Sequence, residues 1–260
     1  MTITYRHGLS IFELIVYFPS LFLASFLVFR HGLLTNAGFL FVVLFALCRI
    51  VGACCDLATI SNYSTSLFIA AAICSSIGLS PLMLVCSGLL SRANKSIKRV
   101  RGHGVLPWYA SHAFRFLTII AMVLTIVGIT NNMSEEALLH PDSLVKVGII
   151  LYLAAFVVLE IFLVVIALRR NSLEPGEHRI LLAVAISSPF ILVRVLYVLF
   201  VWFLHNSTFG LMNGNVTVQL VMSVLEEMAV IVICLGVGLT LPVRKEGSGG
   251  GEELTRYGKP

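Results

Sequence analysis

Apolar residues are grouped along this chain in seven runs of about twenty residues each, separated by short polar segments. A helix of this length crosses the ~30 Å hydrocarbon core of a bilayer. The pattern therefore predicts an all-α, seven-transmembrane-helix bundle with spans at 9–29, 38–60, 66–90, 109–129, 146–168, 180–204 and 217–241. Residues 1–242 then form a single transmembrane domain, and the polar, Gly-rich segment 243–260 is predicted to be a disordered cytosolic tail.

The distribution of Lys and Arg predicts the direction of these helices. With the N-terminus outside the cell or in a lumen, the cytosolic segments hold thirteen basic residues and the opposite segments hold two. The positive-inside rule favours this arrangement, which also places the C-terminus in the cytosol. Three sequons then lie on the outer side and are candidate glycosylation sites: Asn62, Asn206 and Asn215.

The composition supports a membrane protein and argues against a nucleic-acid partner. Hydrophobic residues make up 58% of the chain and charged residues 12%, whereas soluble domains contain about 45–50% and about 25%. The net charge of +5 comes from basic residues in the short segments between spans, so it is explained by orientation and no nucleic-acid partner is expected. All six cysteines lie in apolar runs, which favours buried thiols over a disulfide framework.

Eight ionisable residues interrupt the predicted spans, although each charge at the centre of a membrane helix costs roughly 2.5–3.5 kcal/mol. They are Glu13, Arg49, Asp56, Arg115, Glu160, Arg194, Glu226 and Glu227. Such groups must pair with one another, carry a proton or line a wet cavity. Arg115 lies near the cytosolic end of its span, where it can snorkel or pair with Glu160.

Four spans place their charged residues at similar depth. Arg49 and Asp56 share one face of the second span, and Glu226 and Glu227 lie on the seventh, pointing about 100° apart. Glu13 with Tyr17, and Arg194 with Tyr197, are one-turn pairs on the first and sixth spans. The sequence therefore predicts a buried cluster within the bundle, and it places Glu160 deeper, on the fifth span.

Two interpretations of this cluster remain open. Interhelical ion pairs could simply fix the bundle. Alternatively, several acids in a medium of low dielectric constant cannot all be ionised, so at least one is expected to hold a proton and to be usable as a general acid. In that interpretation the catalytic candidates are Glu226, Glu227 and Asp56. Pocket or charge-setting roles then fall to Arg49, Arg194, Glu13, Tyr17, Tyr197 and Glu160.

Several chemistries are disfavoured by what these spans contain. The histidines lie in loops or at span ends, where they cannot converge as zinc ligands inside the bundle. The seventh span has no lysine for a retinal Schiff base, and no Asp-rich motif for a metal-bound diphosphate occurs. We therefore expect neither a metal nor a cofactor.

Five stretches carry a resemblance to a known family: "YRHGLSIFELIVYFPSL", "FRHG", "LCRIVGACCDLAT", "LSPLMLVCSGLLSR" and "LEEMAVIVICLGVGL". Over about residues 4–242 the chain resembles a family of fungal seven-span integral membrane proteins. Some members of that family are membrane-bound meroterpenoid terpene cyclases of the ascofuranone and macrophorin type.

This resemblance implies cyclisation of the farnesyl chain of a meroterpenoid in fungal secondary metabolism. Protonation of a terminal epoxide or alkene would start the reaction, in the manner of an isomerase or lyase. The implied partners are a lipophilic prenylated small molecule and membrane lipids, and the implied location is the endoplasmic reticulum. The residues favour an enzyme, and the alternative is a small membrane transporter or metabolite exporter that uses the same ionisable cluster for proton coupling.

Overall fold

The computed structural model describes residues 5–32, 37–60, 77–131, 143–174, 176–203 and 216–241, together with separate positions between 64 and 74. Long helices occupy most of these residues. They are α1 (Tyr5–His31), α2 (Ala37–Ala58), α3 (Leu79–Arg101), α4 (Trp108–Thr130), α5 (Ser143–Ala167), α6 (His178–Phe203) and α7 (Val216–Thr240). The sequons at Asn62, Asn206 and Asn215 and the tail at 243–260 lie outside the described residues.

Six of the helices in the described part of the chain are long and apolar enough to cross a membrane: α1, α2, α4, α5, α6 and α7. Their outer faces carry large exposed apolar side chains, such as Phe22 and Phe26 on α1 and Val164 on α5. Faces of this kind are stable in hydrocarbon and not in water. The prediction of an all-α, multi-pass membrane protein is thereby confirmed for these six helices.

Helix α3 is surrounded by the other helices. Every residue from Leu79 to Leu90 is buried, and α3 packs against α2, α4, α5, α6 and α7. The remaining contacts join α1 to α2, α4 to α5, α5 to α6, α6 to α7 and α7 to α1, so these helices enclose α3. The core of the bundle is thus built around the helix that has least contact with lipid.

Helix pairs approach closely where small residues lie between them. A β-carbon at Gly148 of α5 would lie 3.0 Å from the carbonyl oxygen of Ala121 on α4. The antiparallel pair α4–α5 therefore depends on the absence of a side chain at this position. Small residues have this role in many membrane bundles, because close backbone approach replaces the hydrophobic driving force that is missing in lipid.

The described part of α3 begins inside the predicted span 66–90 but continues past its predicted end to Arg101, through a segment predicted to be a loop. The cause is a set of polar contacts: the guanidinium of Arg92 donates to the Glu177 carboxylate at 3.0 and 3.1 Å, with both side chains buried. Asn94 bonds the backbone of Leu106 in both directions. Gly102, with φ of 80°, then closes the helix by donating its N–H to Lys98.

These contacts define the two ends of the bundle. We call the end with the Arg92–Glu177 pair the Arg92 end, and the end where α2 finishes after Asp56 the Asp56 end. The Arg92 end also carries exposed basic side chains, among them Lys98, Arg99 and Arg170.

Candidate functional site

A carboxylate held between two guanidiniums lies at the centre of the site. Glu227 of α7 is completely buried and forms ion pairs with Arg49 of α2 and Arg194 of α6. Nε of Arg194 donates to Oε1 of Glu227 at 2.8 Å, and Nη2 of Arg49 contacts Oε2. Both arginines are at most 4% exposed. The three side chains, which we call the Arg–Glu–Arg triad, therefore tie three helices together.

The triad is placed well inside the bundle. Its residues lie roughly nine to eleven positions from the Asp56 end of their helices, which corresponds to about 15 Å. Arg49 packs over the ring of Phe45, with 5.7 Å from Cζ to the ring centroid, and Arg194 packs over Tyr197 at 5.5 Å. Aromatic faces thus cover both cations, as is favourable in a desolvated site.

Gly78, immediately before α3, makes room for the triad. A β-carbon at this position would lie 2.8 Å from Nη2 of Arg49 and 2.9 Å from Oε1 of Glu227. Any larger residue would occupy the space in which the ion pair forms. The central helix therefore begins where the charged groups of α2 and α7 meet.

One turn of π-helix, Leu220–Val224, precedes the two glutamates on α7. A π-turn inserts an extra residue into the helix. The side chains after the turn are therefore rotated about the helix axis relative to those before it. The rotation sets which of the two adjacent glutamates faces the arginines. Glu227 is the one that does, and Glu226 points to a half-buried position beside it.

Glu226 and Glu227 thus differ in environment, as the sequence predicts. The structure shows that Glu227 is the one paired with the arginines. Oε2 of Glu226 is buried and has no hydrogen-bond partner among the described residues. Arg194 and Glu227 are the charged groups that act on it. A buried carboxyl group with a free oxygen is able to bind or donate a proton to another molecule.

On the opposite side of the triad lie Glu13 and Tyr17 of α1. The carboxylate of Glu13 is 3.9 Å from Nη1 of Arg49, and both side chains are largely buried. Tyr17 is fully buried against Phe45, with ring centroids 5.5 Å apart, and its hydroxyl has no partner in the described part of the chain. Glu13, Tyr17 and Glu226 therefore flank the triad, and among the described residues the Tyr17 hydroxyl and Oε2 of Glu226 have no hydrogen-bond partner.

Asp56 lies nearer the end of the bundle and has partners of its own. It accepts a hydrogen bond from the hydroxyl of Ser10 at 2.6 Å, and it is 3.3 Å from Nδ1 of His7. Both partners belong to α1. Asp56 therefore joins α1 to α2 about two helical turns nearer the Asp56 end than Arg49. Its role as a partner of the two glutamates, or as an alternative proton donor, stays a prediction.

Glu160 belongs to a second polar group, in the half of the bundle near the Arg92 end. Its carboxylate accepts a hydrogen bond from Ser188 of α6 at 2.6 Å. Arg115, considered above as its partner, instead packs over the ring of Phe41 at 6.0 Å. The structure thus separates Glu160 from the triad.

Some of these features have no signal in the sequence pattern. Nothing in the run 216–226 marks the π-turn, since it contains neither Pro nor Gly. Gly78 is one glycine among twenty. The only signal for His7 and Ser10 is helical spacing on α1: Ser10 lies one turn before Glu13, and His7 lies one turn before Ser10.

Within the described ranges, no group of three His, Cys, Asp or Glu side chains is arranged to hold a metal ion. Glu227 is the carboxylate that contacts both buried guanidiniums, which suits it to a structural role in holding them. The other ionisable oxygen groups beside the triad, among the described residues, belong to Glu226, Glu13 and Tyr17.

Comparison with known proteins identifies a family but no activity. A family model described as a domain of unknown function, DUF7702, matches residues 3–245. No curated protein matches the chain, and no solved structure does. The resemblance to meroterpenoid cyclases therefore stays a prediction from the sequence.

Proposed function

We propose that this chain, which belongs to the DUF7702 family, is a membrane-bound terpene cyclase that acts on the prenyl chain of a meroterpenoid. The observation that carries the proposal is the buried, unpartnered carboxyl oxygen of Glu226 beside the Arg–Glu–Arg triad. An acid in this setting has a proton to give, and no group in the described part of the chain receives it. A lipophilic substrate entering from the bilayer would be the receiver.

Glu226 is assigned the role of proton donor. Its carboxyl proton passes to the terminal epoxide oxygen or alkene carbon of the substrate. With an epoxide, the C–O bond breaks and the oxygen becomes a hydroxyl group; with an alkene, the π electrons form the new C–H bond. Each following double bond attacks the cation and closes a ring. The low dielectric constant and the absence of bulk water protect the cation until the last step.

Glu13 is assigned the role of final base. A C–H bond next to the last cation gives its proton to the Glu13 carboxylate, and its electron pair forms a C=C bond. The product then has the mass of the substrate. Glu227 takes no part in proton transfer; it holds Arg49 and Arg194, whose charges stabilise the conjugate bases on either side.

The proposed setting is the endoplasmic reticulum, with seven spans and with the Asp56 end facing the lumen. The exposed basic side chains at the Arg92 end support a cytosolic position for that end. The acids then lie in the lumenal half of the membrane. A prenylated phenol can reach them through the lipid, without an aqueous channel.

The test is product formation by microsomes that contain the protein, incubated with a farnesylated phenol and with its terminal epoxide. We expect a product of unchanged mass and altered retention time, and loss of at least about a hundredfold in rate for Glu226→Gln. Glu160→Gln is the matched control, because it removes another membrane-embedded acid outside the cluster, and it should convert substrate at close to the normal rate. Equal activity of the two variants would overturn the assignment of Glu226.

A proton-coupled transporter is the second candidate, and one observation favours it. Three of the helices around the cluster contain irregularities: Pro19 in α1, Pro189 in α6 and the π-turn in α7. Such positions allow helices to bend. Ligand flux across proteoliposomes without chemical change, abolished in Glu226→Gln, would favour this function over cyclisation.

A further inference from the structure

A file of polar side chains runs from the Asp56 end of the bundle towards the triad. Its outermost member is His7, whose side chain is 16% exposed, followed by Asp56 at 15%. Nδ1 of His7 and Oδ2 of Asp56 are 3.3 Å apart, and the Ser10 hydroxyl donates to the same oxygen at 2.6 Å. One carboxylate oxygen therefore joins a partly exposed imidazole to a buried hydroxyl.

The file continues along α1. Glu13 lies one helical turn beyond Ser10, so their side chains are neighbours on the same face, about 5–6 Å apart at Cβ. One water molecule between polar groups at this spacing would complete the connection. Glu13 is in turn 3.9 Å from Arg49, the first member of the triad. The residues that lie in order are thus His7, Asp56, Ser10 and Glu13.

We propose that His7, Asp56 and Ser10 form a proton relay that connects Glu13 with the water at the Asp56 end. The proposal rests on the function assigned above, in which Glu13 accepts the proton released by the final cation. That proton must leave before Glu13 can act again, and the apolar bundle offers it no solvent. It passes from Glu13 through the Ser10 hydroxyl to Asp56, then to the imidazole of His7, and from there to water.

A purely structural role would also be compatible with these contacts, since they join α1 to α2. The two roles differ in what they limit. A structural tie affects every turnover equally, whereas a relay affects only the turnovers that follow the first. Chains of carboxylate, imidazole and hydroxyl groups inside membranes are typical proton paths.

The kinetic test compares the first turnover with the steady state. In His7→Gln and Asp56→Asn we expect a normal first-turnover amplitude and a steady-state rate lowered about tenfold or more. In His7→Ala, added imidazole should restore the steady-state rate, because a small base can replace the missing ring. Equal losses in the first and later turnovers, or no rescue by imidazole, would overturn the relay.

Two variants serve as matched controls. Ser20→Ala removes another buried hydroxyl of α1, one that bonds to its own helix at Val16. His112→Gln removes an exposed imidazole that contacts the backbone of Trp108 on α4. Both should keep the wild-type ratio of first-turnover to steady-state rate.

A second test needs no substrate and so separates the relay from the proposed function. The protein in lipid nanodiscs is moved rapidly from mildly alkaline to mildly acidic buffer, and carboxyl bands are followed by infrared spectroscopy. The band that Glu13→Gln removes should appear about tenfold more slowly in Asp56→Asn than in the wild type or in Ser20→Ala. Equal rates, or no band assignable to Glu13, would refute the relay whether or not the protein is a cyclase.

The charged and titratable groups that act on Glu13 in that experiment are known. Arg49, Glu227, Arg194 and Asp56 surround it, and Tyr17 lies one turn away on α1. Asp56→Asn changes only the outermost of these groups. A slower band in this variant therefore reports the path to water and leaves the triad intact.

Discussion

The two adjacent glutamates of α7 should differ sharply in their contribution to stability. Glu227 is fully buried and compensates two guanidiniums, whereas Glu226 is half-buried and its Oε2 is unpartnered. Substitution by Gln keeps the size of the side chain and removes only the charge. The matched pair Glu227→Gln and Glu226→Gln therefore isolates the electrostatic contribution of the triad.

The expected magnitude follows from the geometry. Two unit charges 4 Å apart interact by roughly 4 kcal/mol at an effective dielectric constant of 20, and breaking a buried pair costs about 3–5 kcal/mol because the other charge is left uncompensated. Glu227→Gln removes the carboxylate charge that binds two buried cations, so we expect a loss of about 5 kcal/mol. That is a large share of the roughly 5–15 kcal/mol that stabilises a typical protein. Glu226→Gln should cost less than about 1 kcal/mol, because the assigned proton donor is a neutral acid whose Oε2 has no hydrogen bond to lose among the described residues.

The assay is equilibrium unfolding of both variants in mixed micelles, followed by far-ultraviolet circular dichroism. A third protein, with Leu at 227 and Met at 49 and 194, replaces the whole triad by apolar side chains of similar volume. Such replacements are often neutral or stabilising, so it should unfold within about 1 kcal/mol of the wild type. Equal losses for the two Gln variants, or a triple variant less stable than Glu227→Gln, would refute the reasoning.

Two further predictions concern packing and the Arg92 end. Gly78→Ala should cost about 1–3 kcal/mol, because its β-carbon would lie 2.8 Å from a guanidinium nitrogen of the triad; Gly236→Ala, with open space around it, should be nearly neutral in the same unfolding assay. Glu177→Gln should cost about 3–5 kcal/mol and speed proteolysis between α5 and α6, because it removes the carboxylate charge that binds the buried guanidinium of Arg92. Lys95→Gln, at an exposed position on α3, should leave the cleavage rate unchanged.

The sequence is sufficient to place Glu13, Arg49, Arg194 and Glu227 at similar depth. Their positions within apolar runs are fixed by the length of a helix, and buried charges have to pair. What periodicity does not supply is which of two neighbouring glutamates does the pairing. That choice depends on the π-turn, which rotates α7 by an extra residue without any Gly or Pro to mark it.

Two other features escaped the sequence pattern for a similar reason. The continuation of α3 to Arg101 depends on Glu177, which is distant in the chain and joins it only when the bundle is assembled. The partners of Asp56 come from α1, at a register that helix periodicity alone does not determine. These contacts depend on side chains that are distant in the sequence, whereas hydropathy indicates only that a segment prefers lipid to water.

The enclosure of α3 also has a consequence for how the protein is made. A helix leaves the insertion machinery for lipid when enough of its surface prefers hydrocarbon, and helices then associate within the bilayer. From Leu79 to Leu90 every residue of α3 is buried by the other helices, so this part has no face exposed to lipid. A basic segment that ends at Arg101 follows it. Its release is therefore coupled to the arrival of α5, α6 and α7, which are synthesised after it. The innermost helix of the finished protein is then among the later ones to reach its place during biogenesis.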